Sequence, residues 1–187
     1  MHFALCAAAL VSAQIAVLWG LSHPWISASG QILLWAGNPL SPDTSQQISD
    51  WYSFSHIIHG FLLYGLLHFL TPRLPLATRL LIATGFEIGW EVLENTPMAI
   101  QHYRQQALAV GYAGDSILNS VMDTGMMATG FVLAARMPVW TVVALGIGFE
   151  LFTGYMIRDG LLLNIIGFAW TPDFIARWQA AGPVGPP

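Results

Sequence analysis

Apolar positions run in five long blocks, parted by short polar or proline-containing stretches. Phe3–Leu21 carries no formal charge. Tyr52–Thr71 carries none either, but it contains His56, His59 and His68. Leu76–Asn95 contains Arg79 with Glu87, Glu91 and Glu94. Ala113–Ala135 contains Asp115 and Asp123, and Val139–Ile157 contains only Glu150. About 20 such residues cross the hydrocarbon core of a bilayer as a helix. The pattern therefore predicts an all-α fold: a polytopic membrane helix bundle of about five transmembrane helices plus short interfacial helices. One transmembrane domain is expected over 1–177, with a disordered Gly- and Pro-rich tail over 178–187.

The first block has no Lys or Arg ahead of it and is long for a cleaved signal, so it is expected as a retained helix. The stretches QILLWAG (31–37) and LLLNIIGFAW (161–170) are too short to span and suit the interface. TPRLP (71–75) and RMP (136–138) read as tight turns. Arg73, Arg79 and Arg136 then share one side of the membrane, and Arg104, Arg158 and Arg177 the other. Their occurrence in short turns places the first group, with the amino terminus, on the cytoplasmic side.

Composition narrows the class further. Charged residues make up 9% of the chain, against about 25% in soluble domains. Lysine is absent and the six basic residues are all Arg, so no basic footprint for nucleic acid exists. The single Cys6 has no internal disulfide partner.

The candidate chemistry lies where polar residues interrupt the apolar blocks. A helix turns about 100° per residue, so Glu87, Glu91 and Glu94 form one stripe. Gly85 and Gly89 lie nearly opposite, an arrangement that permits close helix approach. The third helix is therefore expected at the centre of the bundle. Asp115, Asn119 and Asp123 recur every four residues in the fourth block, with Asp115 also a candidate N-cap. His56 and His59 share one side of the second. The helical rise puts His59, Glu87 and Asp123 at about 12 Å from the outer edge, with Glu150 similar. Residues from four helices are thus expected to meet in the outer, periplasmic half of the membrane. An unpaired charge at the bilayer centre costs about 2.5–3.5 kcal/mol on insertion scales, so these groups need partners.

The stretches FSHIIHGFLLYGLL, EIGWEVLEN and GDSILNSVMDTGMMATG resemble a family of uncharacterised proteobacterial inner-membrane proteins. The resemblance runs from about Ile48 to Gly167. It implies a multi-pass protein of the bacterial inner membrane and supplies no activity. A looser similarity is to the VanZ-like membrane proteins. They share a His early in one helix, a Glu late in the next, then Asp and Asn opening another. Here those are His56 or His59, Glu91 or Glu94, Asp115 and Asn119. The Asp-Lys pair usual before that His is absent.

Three functional readings remain open. In the first, an enzyme or binder acts on a lipid or lipid-linked substrate. Glu91 or Glu94 is then the general base, His56 or His59 the proton shuttle, and Asp123 a further member of the site. Arg104 and Arg158 would hold a phosphate or carboxylate, beside Asp115 and Asn119. A version of this reading places a divalent metal on His56, His59, Glu91 and Asp123, a mixed N/O set suited to Zn, Mn or Fe. In the second, the chain is an accessory or structural subunit, with partner membrane subunits or further copies of itself. In the third, the acidic and His residues relay protons or ions. Beyond lipids and such subunits, no partner is indicated.

Overall fold

A computed structural model describes residues 2–104 and 111–183. Among the described residues the chain forms eight helices: α1 (His2–Gly20), α2 (Ser53–Leu70), α3 (Leu76–Glu94), α4 (Pro97–Tyr103), α5 (Ile117–Arg136), α6 (Val139–Ile157), α7 (Leu161–Ala169) and α8 (Asp173–Ala180). An isolated bridge between Ala36 and Asp50 is the nearest approach to sheet there. Four helices among the described residues, α1, α2, α5 and α6, are long and apolar enough to cross a membrane. The fifth expected span, α3, has 19 residues. Its Arg79 and three Glu keep it outside that group of four on composition.

Burial is inverted relative to a soluble bundle. Gln14, Glu87, Glu91, Asn119 and Asp123 are buried, whereas Leu5, Trp19, Phe69, Val139 and Leu151 are largely exposed. In α1 only Gln14 and Leu18 are buried, and in α6 only Thr153 and Ile157. Apolar side chains outside and polar ones inside suit a chain whose surroundings are hydrocarbon. One apolar cluster gathers Leu67, Ala83, Met127 and Phe131, with Leu63, Tyr64 and Leu80 packed against it.

Among the described residues α5 packs on α1, α2, α3 and α6, and α3, the helix expected at the centre, packs on α1, α2, α4 and α5; α5 buries the more of the two, nine residues against four. The tightest crossing joins α2 to α5 through glycine. A Cβ on Gly60 would lie 2.1 Å from the Met127 carbonyl oxygen, and one on Gly130 2.2 Å from that of Ile57. Gly85 and Gly89, expected to be the close-approach pair, face open space instead. The spacing was right for a packing face, but no helix lies against it.

Between α1 and α2 the chain folds back as a long loop without helix. Its QILLWAG patch does not form an interfacial helix. Leu33 O accepts from Ile48 N–H at 3.1 Å, and Ser49 O from Ala36 N–H at 2.9 Å. Trp35 packs edge-on against Trp51 at 5.1 Å, and Trp51 reaches Phe152 of α6 at 5.6 Å. At the other end α7, nine residues long, spans about 14 Å at the helical rise and is too short to cross the hydrocarbon core. Of the stretch from 178 onward, Trp178 to Ala180 complete α8, and 184–187 lie outside the described residues.

Candidate functional site

The loop before α2 is held onto the start of α5 by unpaired backbone groups. The first N–H groups of a helix have no partner within it. Here Ile117 N–H donates to Pro24 O at 2.8 Å and Leu118 N–H to Trp25 O at 3.1 Å. Ser116 is the N-cap and accepts from Asn119 N–H at 3.1 Å. The candidate N-cap, Asp115, sits one residue earlier, outside the helix. It joins a latch instead. Asn95 Nδ2 donates to Asp115 Oδ2 at 2.6 Å, Asp115 N–H donates to Asn95 Oδ1 at 2.7 Å, and Tyr112 OH donates to Asp115 Oδ1 at 2.9 Å. His23 lies against the same latch, with Nδ1 3.0 Å from Asp115 O and Nε2 2.9 Å from Asn95 O. Gly114, at φ 91°, lets the chain pass His23; a Cβ there would lie 2.4 Å from His23 Cε1. Asn119 Nδ2 donates to Gln47 O at 2.9 Å, so Asn119 pins the loop.

Deeper in the bundle, α2, α3 and α5 bring their ionisable groups together. His56 Nδ1 lies 2.6 Å from Glu87 Oε1 and 3.3 Å from Glu91 Oε1. His56 Nε2 faces Asp123 Oδ2 at 3.8 Å. His59 Nδ1 lies 3.1 Å from Glu87 Oε2. Around this cluster, Ser120 Oγ donates to Glu91 Oε2 at 2.6 Å and Ser53 Oγ to Asp123 Oδ1 at 3.0 Å. Gln14 of α1 closes the far side, donating to Ser120 Oγ at 2.8 Å and accepting from Thr124 Oγ1 at 3.1 Å. His56, Glu87, Glu91 and Asp123 are all at most 5% exposed.

A cavity of about 600 Å³ opens beside the cluster. His56, His59, Glu94, Asp123, Asp115 and Asp159 lie on its wall, with Tyr52, Tyr103 and Tyr112. Pro24, Leu40, Trp90 and Leu161 contribute apolar surface. Asp159, just after α6, accepts from Tyr52 OH at 3.0 Å and Gly160 N–H at 2.9 Å. Burial pushes its carboxyl up to about 6, against those hydrogen bonds. Asp50, just before α2, is likewise raised by burial, although Ser45 and Tyr52 N–H groups donate to it.

Three of the expected participants stand elsewhere. Glu150 does not join the cluster: its carboxylate accepts from Leu161 and Leu162 N–H at 3.2 and 2.8 Å, capping α7. Isolated N–H groups at a helix start draw a carboxylate as well as a polar pocket does. Arg158 donates to Trp178 O at 2.8 Å and Arg104 donates to Tyr112 O; neither lines the cavity. Glu87, expected level with His59 and Asp123 but given no chemical role there, sits at the cluster's centre between His56 and His59. Gln14 was missed. A lone amide in an otherwise apolar span was the available signal, since such a group needs a partner inside the bundle.

Comparison with known proteins agrees with the family resemblance. A UPF0314 protein of Sphingopyxis alaskensis is 50% identical, covering 95% of both chains. One from Rhizobium meliloti is 49% identical over 91% of this chain and 87% of its own. One from Novosphingobium aromaticivorans is 48% identical over 91% and 88%. No solved structure matches the chain. The likeness to VanZ-like proteins gains nothing from these matches. A family model described as a protein of unknown function (DUF2585) matches residues 18–181, and the chain belongs to that family.

Proposed function

We propose that this chain binds and chemically processes a lipid or lipid-linked substrate in the bacterial inner membrane. Its amino terminus would face the cytoplasm and its cavity the periplasm. One observation carries the reading. A cavity of about 600 Å³ and an apolar groove of about 310 Å³ between α2, α6 and α7 lie on either side of Leu161, which lines both. Such a pair suits an amphiphile, with a headgroup among carboxylates and histidines and a chain along Ile58, Leu62, Ile147 and Leu151. Glu94 and His59 stand on the cavity wall and serve as the acid–base pair, Glu94 accepting a proton from the bound headgroup and His59 relaying it. Asp115 acts through the latch, and Asn119 through the loop it pins, to shape the wall.

The test is lipid analysis of a deletion strain. It should accumulate a lipid or lipid-linked species that the wild-type chain clears and Glu94→Gln does not. Clearance by Glu94→Gln would remove Glu94 from the chemistry. An unchanged lipid profile, with a fixed set of membrane subunits co-purifying, would replace the reading with that of an accessory subunit.

A further inference from the structure

We infer that His56, Glu91 and Asp123 hold one divalent transition-metal ion at the wall of the cavity. This deepens the proposed lipid site and rests on that reading for its purpose, though not for its geometry. One ligand atom from each of the three residues lies within 4.8 Å of the others. They come from three different helices, α2, α3 and α5.

The outer partners point the same way. Ligands of a metal are usually fixed by a hydrogen bond at their second polar atom. Each of these three has one. Glu87 holds His56 Nδ1, which leaves Nε2 turned toward Asp123 Oδ2. Ser120 holds Glu91 Oε2 and Ser53 holds Asp123 Oδ1. The remaining Glu91 oxygen, Oε1, is buried without a hydrogen-bond partner in a residue that is 0% exposed. The nearest ring nitrogen, His56 Nδ1, is already directed at Glu87, 0.7 Å nearer than Glu91 by the difference of 3.3 and 2.6 Å. An orphaned carboxylate oxygen in a bundle interior calls for a cation.

Charge closes the argument. Glu91 and Asp123 carry −2 as ligands, and a divalent ion beside a neutral imidazole cancels that pair; among the described residues no Arg lines the cavity to do so. A second set of side chains, His56, His59 and Glu87, has ligand spacing too. There, however, both Glu87 oxygens already face histidine nitrogens. His59, expected as a fourth ligand, is turned to Glu87. Three N/O ligands with His56 and Asp123 open to the cavity leave room for water or a headgroup oxygen on the ion. The donor set suits Zn, Mn or Fe.

The full chain, purified in mild detergent and stripped with chelator, is reloaded with Zn²⁺ or Mn²⁺ and desalted. Elemental analysis should give one ion per chain for wild type and for the Glu150→Gln control. Glu91→Gln and Asp123→Asn should retain at least tenfold less, and Glu87→Gln should bind about 10–100-fold more weakly. Co²⁺ gives a second readout: visible d–d bands in wild type, lost in Asp123→Asn. A folded wild-type chain that binds no ion, or equal binding by Glu91→Gln, overturns the site. Lipid clearance by a chain that retains no ion on reloading would sink this inference and leave the proposed function standing. Metal binding with an unchanged lipid profile would do the reverse.

Discussion

Asn95 and Asp115 bind each other twice, amide to carboxylate at 2.6 Å and backbone N–H to amide oxygen at 2.7 Å. The pair ties the end of α3 to the start of α5, 20 residues away. Because one partner is a carboxylate, Asn95→Ala should cost about 1.5–3 kcal/mol. Asn95→Asp should cost more, since it sets two carboxylates face to face. Unfolding in detergent, followed by circular dichroism, checks the order.

The α2–α5 crossing should tolerate no side chain at its contact points. Gly60→Ala or Gly130→Ala places a Cβ into backbone at 2.1 or 2.2 Å. The helices must separate, at a cost of about 1–3 kcal/mol or more. Gly89→Ala meets open space and should stay within about 0.5 kcal/mol of wild type. Equal effects at Gly60 and Gly89 would contradict the packing described.

Gln14 offers a contrast in magnitude. It makes two hydrogen bonds to Ser120, at 2.8 and 3.0 Å. Hydrogen bonds between membrane helices average only about 0.6 kcal/mol, so Gln14→Leu should cost on the order of 1 kcal/mol. Ser120→Ala should cost more, because it also strips Glu91 Oε2 of its donor. Thermal shifts of the two variants in one detergent decide it.

Asp159 predicts a pH dependence of definite sign. Its folded-state carboxyl titrates near 6, above the ordinary 3.8. Below 3.8 both states are protonated and the group contributes nothing. Between 3.8 and 6 the folded state holds more protons than the unfolded one, so stability falls as pH rises. Above 6 the loss is complete, on the order of 2–3 kcal/mol at 1.36 kcal/mol per unit. Asp159→Asn should flatten melting temperature across that window. A wild-type slope of the opposite sign would rule out the burial cause.

Read along the chain, hydrophobicity alone located the long helices. The expected limits of 76–95 and 139–157 differ from α3 and α6 by at most one residue. That success has a simple cause: a helix in hydrocarbon must be continuous and about 20 residues long. Helical periodicity also put Glu87 and Glu91 on one face, and counting along the helices brought His59 and Asp123 level with Glu87. Those relations are local or follow from counting along an axis.

What lay between helices was decided by the tertiary structure. Nothing in the spacing of Gly60 and Gly130, 70 positions apart, marks them as one contact, while Gly85 and Gly89 had the familiar spacing and no neighbour. Glu150 matched the cluster in depth but faces α7, because depth says nothing about rotation around the bundle. Asp115 left its helix for Asn95, and Gln14 reached Ser120 across 106 residues. Sequence determined which segments form long apolar helices and how far along each helix every polar group lies. Which of those groups touch depended on how the helices turn and lean against one another, a matter of packing that no single segment encodes.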